Sequence, residues 1–410
     1  MSKIDFQEND QYIDNFENEE SFFPNESYTN PYSVPKLVSD LQQVIKDLLS
    51  KSSQLKQLTS ALKQNTSFQV PEFLEPFVIE NQLISTITKS KNLSHMHIGA
   101  VDGGLVTSNL AGVDILGLKA VGVYLHYGHN KILKTNYFPT KHQDVKLVPV
   151  YKIFSRPDLD IYSSLQRSIL ELKTGITLLE EAPASLDYML MDGSFQFKRI
   201  ITPNPELNVL FGKYFAYLRK LLAKAQSQNT QLLFVVKDSI TSHFITILSQ
   251  LLPHVITAFP DLHTVDYRTI IQDLRDSNFM HYLLSPRSRS FIINRTFASK
   301  EPIELNYVPY SYYFKVIKND LPLRIDLLTR PKQSVDDIIS TVDESSKVLL
   351  ALSEFNKNYS LPAPIIEADA RTKINQEQFE LLLDYIRHKT FNFNSIESQK
   401  LRRTRSPFRF

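Results

Sequence analysis

The fold is decided by two stretches of sequence, HIGAVDGG at residues 97–104 and LDYMLMDGS at residues 186–194. Each is an apolar run that ends in an Asp followed directly by a Gly. A short run that is apolar along its whole length indicates a buried strand, and in open α/β sheets reactive groups gather where such strands end. We therefore expect Asp102 and Asp192 to project into one crevice. The alternative is ordinary turn chemistry, because Asp-Gly is a common turn after a strand.

The segments around these two strands predict an α/β fold. Between them, residues 112–127 (GVDILGLKAVGVYLHY) indicate one or two strands punctuated by Gly, and residues 161–181 have helical spacing. A second helical stretch at residues 207–225 precedes QLLFVVKD at residues 231–238, another buried strand. Antiparallel strands followed by alternating helices and strands are the order of an RNase H-like fold. The predicted fold class is α/β, with an RNase H-like mixed sheet flanked by helices, an N-terminal helical segment and disordered tails.

Composition and periodicity divide the chain into four predicted segments. Residues 1–35 hold one Lys and eight Asp or Glu without a helical or strand period, which is typical of a disordered acidic tail. Residues 36–90 begin with apolar side chains at three- and four-residue steps and predict an amphipathic helical segment, packed on its own domain or on a second copy of the chain. Residues 91–390 form the predicted main domain, and residues 391–410 a basic tail.

The composition excludes several classes of protein. The chain has 410 residues, 42% hydrophobic and 22% charged, which is a globular balance. It has no cysteine, which excludes disulfide scaffolds, cysteine-bound zinc and thiol nucleophiles, so a metal would be held by oxygen and imidazole ligands. No run approaches the roughly 18 apolar residues of a membrane span, and residues 1–20 do not have the pattern of a signal peptide. We expect a soluble, cytoplasmic protein without membrane contact.

A site for a pair of divalent metals needs a third carboxylate, because two cations about 4 Å apart must be neutralised and bridged by several oxygens. The helix before the second strand offers Glu171, Glu180 and Glu181. Glu171 lies four residues after Arg167, so a helical ion pair is the alternative explanation for it. Glu180 and Glu181 lie at the predicted helix end, where a solvated pair is ordinary.

Several motifs, in their order along the chain, resemble the NurA family of nucleases. They are AVDGG at residues 100–104, RxxxE from Arg167 to Glu171, YMLMDGS at residues 188–194, FVVKDS at residues 234–239, YYFKVIKNDLPLRIDL at residues 312–327 and NYSLPAPIIEAD at residues 358–369. The resemblance implies an RNase H-like nuclease domain over residues 91–390 and Mn²⁺- or Mg²⁺-dependent hydrolysis of DNA, as an exonuclease or a single-strand endonuclease. It also implies a homodimer that docks onto a HerA-type hexameric ATPase, a DNA translocase, in DNA end resection and repair.

The resemblance also implies site residues. By position, Asp102, Glu171 and Asp192 are the family's metal-binding acids, and Tyr359 is the Tyr of its closing element. Asn358 stands where the family has Gly, and Asp369 stands where it has His. Asp369 can still bind a hard cation, but it removes a group able to donate a proton near neutral pH. We expect Asp102, Glu171, Asp192 and Asp369 to hold the metal, and these four with Tyr359 to form the catalytic set.

Three basic residues are candidates for contact with DNA phosphates. Lys237 lies at the end of a buried strand, and Lys315 and Arg324 lie on the late strand pair among Tyr and Phe residues. A mixture of cations and aromatic side chains suits phosphate contacts and base stacking. The alternatives are a lysine that merely extends from a strand end and a solvated basic strand face over an aromatic core.

Two other functions stay open at this stage. Because Asp369 replaces the family's His, the chain could be a catalytically weakened dimeric adaptor that docks a HerA-type ATPase. It could also be an RNase H-fold nuclease that acts on RNA or on hybrids. The sequence has no GxxxxGK[ST] loop, so ATP hydrolysis would belong to a partner.

Overall fold

The computed structural model of the protein describes residues 34–63, 67–110, 112–129, 131–195, 204–272, 274–296, 307–356 and 358–390. Nearly all of the predicted acidic tail and all of the predicted basic tail lie outside these residues. The chain divides into two compact units, residues 1–54 and 55–410. In the first unit the described residues belong to helix α1 (Val34–Leu62), whose apolar side chains there are exposed: Leu37, Leu41, Val44, Ile45, Leu48 and Leu49.

The second unit contains the sheet and the remaining helices. Its strands are β1 (Ile84–Thr86), β2 (His97–Leu110), β3 (Val113–Gly128), β4 (Lys131–Phe138), β5 (Lys146–Val150), β6 (Tyr188–Asp192), β7 (Gln231–Val236), β8 (Ser288–Ser290), β9 (Ile293–Asn294), β10 (Val308–Lys315) and β11 (Leu323–Thr329). Its helices are α2 (Arg156–Glu181), α3 (Pro205–Ser227), α4 (His243–Val255), α5 (Tyr267–Ile271), α6 (Asp276–Leu283), α7 (Val335–Ser353), α8 (Ala363–Thr372) and α9 (Gln376–Thr390). None of the described helices combines the length and the apolar character needed to cross a bilayer.

The described strands form a single mixed sheet. Its order is β1-β8-β10-β11-β7-β6-β2-β3-β4, with β5 paired to β3 and β9 paired to β10. Strands β2, β3 and β4 are antiparallel to one another, whereas β6 runs parallel to β2 and β7 runs parallel to β6. Three antiparallel strands followed by parallel strands that helices connect are the RNase H-like arrangement. The predicted fold class is therefore confirmed.

Strand β6 is apolar up to its final Asp because helices cover both faces of the sheet. On β6, Met189 packs with α2 and α3, and the next residue, Leu190, packs on the other face with the cluster that includes α7. Both side chains are fully buried. Truncating such a leucine to alanine costs about 2–5 kcal/mol. The helix starts are also set locally, since Ser155 caps α2 and Asn204 caps α3 with side-chain oxygens.

Candidate metal centre

Two neighbouring parallel strands bring Asp102 and Asp192 side by side. Val101 of β2 lies opposite Met191 of β6, so the next residue of each strand is one of the two aspartates. Asp369 comes from α8, a helix that packs against β2. One carboxylate oxygen from each of these three residues lies within 4.8 Å of the others. We call Asp102, Asp192 and Asp369 the acidic cluster.

The two Asp-Gly sequences have different local structures. Gly193 follows the end of β6 and has φ of +94°, a left-handed conformation that favours glycine. In contrast, β2 does not end at Asp102, as the sequence pattern suggested, but continues to Leu110. Gly103 and Gly104 stay in the strand, opposite Ala120 and Lys119 of β3.

Gly103 and Gly104 let two helices approach β2 from its two faces. A Cβ on Gly103 would lie 2.4 Å from Oε1 of Glu171 on α2, and a Cβ on Gly104 would lie 2.1 Å from the carbonyl oxygen of Thr372 on α8. Contacts this short are sterically forbidden, so a larger residue at Gly104 would displace the backbone of α8, and one at Gly103 would displace the side chain of Glu171. Gly103 and Gly104 thus allow groups of α2 and α8 to approach β2 closely. Only the second Asp-Gly sequence, Asp192-Gly193, forms a turn.

Glu171 lies on α2, on the face of the sheet opposite to Asp369. It is only 7% exposed, and its Oε1 lies 3.2 Å from Nε of Arg167, which is the helical ion pair considered for it. Its carboxyl group nevertheless lies against β2 beside Asp102. Glu180 and Glu181 are exposed at the end of α2, where Glu180 lies 3.9 Å from Nζ of Lys220. Of the three glutamates, only Glu171 is buried against β2, and it is not one of the three acids of the acidic cluster.

Lys237 and Thr372 bind the acidic cluster directly. Nζ of Lys237 lies 3.0 Å from Oδ2 of Asp192 and 3.6 Å from Oδ1 of Asp369. Oγ1 of Thr372 donates a hydrogen bond of 2.7 Å to Oδ2 of Asp102. Sequence reasoning missed Thr372. The one available signal was its position three residues after Asp369, on the same side of a helix.

Tyr359 lies in the segment between α7 and α8, with 43% of its surface exposed. Its pKa is raised, chiefly by burial and also by the negative charges of Asp369 and Asp192, while Lys237 opposes the shift. Of the residues expected at the centre, Asp102, Asp192, Asp369 and Lys237 therefore lie together. Glu171 lies on the opposite face of β2, against Gly103, and is not one of the acids that come within 4.8 Å of one another.

The acids of the metal centre carry more negative charge than the protein compensates. Burial, joined by the neighbouring charge of Asp192, raises the pKa of Asp102 to about 6 although Thr372 opposes the shift. Burial raises the pKa of Glu171 to about 8 in spite of Arg167. Burial acts to lower the pKa of Lys237, but Asp192 and Asp369 outweigh it and the pKa is raised. Such a group of carboxylates is chemically suited to hold a hard cation.

The family model of the NurA domain matches residues 96–374, which include every residue of the metal centre. The chain belongs to the NurA family. The NurA nuclease from Sulfolobus solfataricus has a similar structure, with a TM-score of 0.51 and 16% sequence identity over 86% of this chain and 98% of that one. A structure of NurA with manganese has a TM-score of 0.42 and 11% identity over 87% of this chain and 98% of that one. At these identities the similarity concerns the fold alone. No curated protein matches the sequence.

Two of the residues expected to bind phosphates are buried in the interior of this NurA-family protein. Lys315 on β10 is 4% exposed, and its Nζ donates a 2.6 Å hydrogen bond to the carbonyl oxygen of His281. Arg324 on β11 is 5% exposed, and its Nε donates a 2.9 Å hydrogen bond to Asp326. Strands β10 and β11 are interior strands of the sheet, so their basic side chains are buried and engaged within the protein. Of the three candidate phosphate ligands, only Lys237 lies at the metal centre.

Proposed function

We propose that this chain is a metal-dependent deoxyribonuclease that hydrolyses phosphodiester bonds at the acidic cluster. The observation that supports it most strongly is the convergence of Asp102, Asp192 and Asp369, from three separate elements, to within 4.8 Å. Two like charges at that distance repel by about 3 kcal/mol at an effective dielectric constant of about 20. Without a cation this arrangement works against folding. With a divalent cation, the same arrangement is a binding site.

The donor atoms fit Mn²⁺ or Mg²⁺. All three ligands of the acidic cluster are carboxylates, which are the ligands that hard divalent cations prefer. Glu171 would join them from the other face of β2 once a cation lowers its pKa and removes its proton. A cation bound there would polarise the scissile phosphate and make the attacking water more acidic.

In this proposal Lys237 and Tyr359 contact the DNA substrate. In the structure the ammonium of Lys237 lies against Asp192 and Asp369. We propose that it turns to a non-bridging phosphate oxygen when DNA binds, and so neutralises charge that develops during cleavage. We propose that the exposed phenol of Tyr359 donates a hydrogen bond to the same phosphate or stacks on a base. Thr372 keeps the carboxylate of Asp102 oriented towards the cluster.

The proposed partners are those that the family resemblance implies. We propose a homodimer that works with a HerA-type hexameric translocase in DNA end resection and repair in the cytoplasm. The absence of a phosphate-binding GxxxxGK[ST] loop from the sequence agrees with a division of labour in which the partner hydrolyses ATP. The weakened adaptor is the competing proposal, and Asp369 in place of the family's His is the reason to keep it.

An assay with three labelled substrates tests the proposed function. Purified protein is incubated with single-stranded DNA, double-stranded DNA and an RNA–DNA hybrid, with Mn²⁺ or with EDTA. We expect Mn²⁺-dependent cleavage of DNA that Asp192→Asn reduces on the order of 1,000-fold, the size typical of losing a direct participant in charge stabilisation. Asp144→Asn, a change at an exposed loop residue, is the matched control and should leave the rate unchanged.

Each other result of this assay favours a different function. Preferential cleavage of the hybrid would favour a nuclease that acts on RNA. Binding of Mn²⁺ without cleavage of any substrate would favour the adaptor. Cleavage that survives both EDTA and Asp192→Asn would exclude the proposed metal centre.

A further inference from the structure

A second group of buried charge lies beneath the metal centre, on the opposite face of the sheet. Its centre is Asp326 on β11, which is fully buried. Nε and Nη2 of Arg324 donate hydrogen bonds of 2.9 and 3.0 Å to its two carboxylate oxygens, and Nη1 of Arg295 donates one of 3.2 Å. Oγ of Ser311 on β10 donates a further hydrogen bond of 2.7 Å. We call Asp326, Arg324 and Arg295, with Ser194 and Ser239 described next, the Asp326 network; Ser311 contacts Asp326 from β10 and belongs to neither turn.

The network holds the turn that follows β6. Oγ of Ser194 donates a hydrogen bond of 3.0 Å to Oδ2 of Asp326. Ser194 is two residues after Asp192, and Gly193 between them turns the chain with its positive φ. The N–H of Gly193 also donates to the carbonyl oxygen of Val235 on β7. The turn that carries Asp192 is thus fixed to β7 by its backbone and to β11 by Ser194.

The same network holds the turn that follows β7. Nη1 of Arg324 donates hydrogen bonds of 2.9 Å to Oγ of Ser239 and 3.3 Å to Oγ1 of Thr241. Ser239 is two residues after Lys237, and it is buried. One guanidinium group therefore contacts both Asp326, which holds the Asp192 turn, and Ser239, which holds the Lys237 turn.

We propose that the Asp326–Arg324 pair is a positioning device that sets Asp192 and Lys237 relative to each other, with Ser194 and Ser239 as its two links to the metal centre. This inference rests on the proposed nuclease function. The two side chains it positions are 3.0 Å apart and come from separate turns. A displacement of about 1 Å at a reacting centre is enough to cost on the order of 100-fold in rate. A rigid, fully buried pair beneath both turns restricts such displacements.

Ser194→Ala and Ser311→Ala form a matched pair that tests this role. Each removes one hydroxyl that donates to Asp326, but only Ser194 belongs to a turn of the metal centre. For Ser194→Ala we expect kcat to fall about 10-fold and the Kd for Mn²⁺ to rise about 10-fold, the size typical of residues that orient a metal ligand. For Ser311→Ala we expect kcat and the Kd for Mn²⁺ to stay at wild-type values. The Tm of Ser311→Ala should fall at least as far as that of Ser194→Ala, because the Ser311 hydrogen bond is the shorter and more buried of the two.

Two further variants sharpen the test. Ser194→Thr keeps the hydroxyl and should restore kcat and the Kd for Mn²⁺ to near wild-type values. Ser239→Ala should lower kcat about 10-fold and leave the Kd for Mn²⁺ unchanged, because it loosens the Lys237 turn and not a metal ligand. The Kd for Mn²⁺ is measured on the full chain by electron paramagnetic resonance, which needs no turnover.

The outcomes separate this inference from the proposed function. Equal losses of kcat in Ser194→Ala and Ser311→Ala would show that these bonds only stabilise the fold. Wild-type kcat and Kd in both variants would also overturn the inference and would leave the nuclease function intact. A wild-type chain that binds Mn²⁺ and cleaves nothing would count against the nuclease function, and the comparison of Mn²⁺ affinities would still decide the positioning role.

Discussion

The acidic cluster and the Asp326 network lie on opposite faces of the same sheet, and their electrostatics are opposite. Burial raises the pKa of Asp102 to about 6, and its closest charged neighbours include another acid, Asp192. Burial acts on Asp326 in the same direction, yet Arg324 and Arg295 outweigh it and lower the pKa of Asp326. Depth alone therefore does not determine how a carboxylate titrates. The network supplies its own cations, whereas the cluster is left short of positive charge that a metal ion can provide.

Removing one acid from the acidic cluster should have the largest effect on activity and should not lower the stability of the fold. For Asp102→Asn we expect DNA cleavage to fall on the order of 1,000-fold. The free energy of unfolding of the metal-free variant should equal or exceed that of the wild type, because a buried like-charge contact disappears. Steady-state cleavage and urea unfolding in EDTA measure the two quantities. A clear loss of stability would mean that Asp102 is a compensated structural acid, and the comparison would fail.

The corresponding change in the Asp326 network should lower the stability of the fold. Asp326→Asn leaves Arg324 and Arg295 buried without their counter-ion, which costs about 3–5 kcal/mol of unfolding free energy. Urea unfolding of the full chain, followed by circular dichroism, gives the value. Asp144→Asn again serves as the exposed control. A loss below about 1 kcal/mol would show that water or another group compensates these arginines.

The two groups also predict opposite responses of stability to pH. The folded pKa of Asp102 lies above its ordinary value, so the folded state holds more protons and stability falls as pH rises from about 4 to 6. The change from Asp102 is on the order of 3 kcal/mol, because each pKa unit corresponds to about 1.4 kcal/mol. Glu171 extends the fall towards pH 8, since its folded pKa is also raised. Asp326 acts in the other direction, because its lowered pKa contributes stability that is lost as pH falls below the ordinary range of an Asp.

Unfolding in EDTA at a series of pH values measures these slopes. The double variant Asp102→Asn, Glu171→Gln should lose the fall between pH 4 and 8. Saturating Mn²⁺ should reduce the fall in the wild type, because the cation compensates the same carboxylates. A wild-type profile that rises throughout this range would contradict the assignment of uncompensated acids.

The smallest expected effect concerns the hydrogen bond from Thr372. Because this bond lowers the pKa of Asp102, Thr372→Val should raise that pKa further. We expect the affinity for Mn²⁺ to weaken about 10-fold at pH 6 and less at pH 8, where the carboxylate is ionised in both proteins. Thr372→Ser, which keeps the hydroxyl, is the control. An equal weakening at both pH values would indicate that Thr372 acts through packing against Gly104 alone.

Much of the fold and of the metal centre could be predicted from the sequence, because their signals are local. The run of apolar residues before Asp192 indicates a strand buried on both faces, and β6 has that environment. Asp369 and Tyr359 could be found only through the resemblance to NurA, since nothing in their own neighbourhood marks them.

Strand order explains what the sequence did not reveal. The positions of Lys315 and Arg324 depend on β10 and β11 being interior strands, and pairing between distant segments leaves no local signal. The alternation LRIDL in residues 323–327 does place Arg324 and Asp326 on one face of a strand. On an interior strand that spacing indicates a buried ion pair, so the pattern could have been used once the strand order was known.

Gly103 on β2 allows charges on the two faces of the sheet to interact at short range. A sheet normally separates what happens on its two faces, but here a carboxyl group on the α2 side occupies the space of a missing side chain beside Asp102. A cation bound on the α8 side would lower the raised pKa of Glu171 and favour loss of its proton. Metal uptake should therefore release protons to the solvent, so the protein would take up its cation more readily in alkaline conditions than in acidic ones.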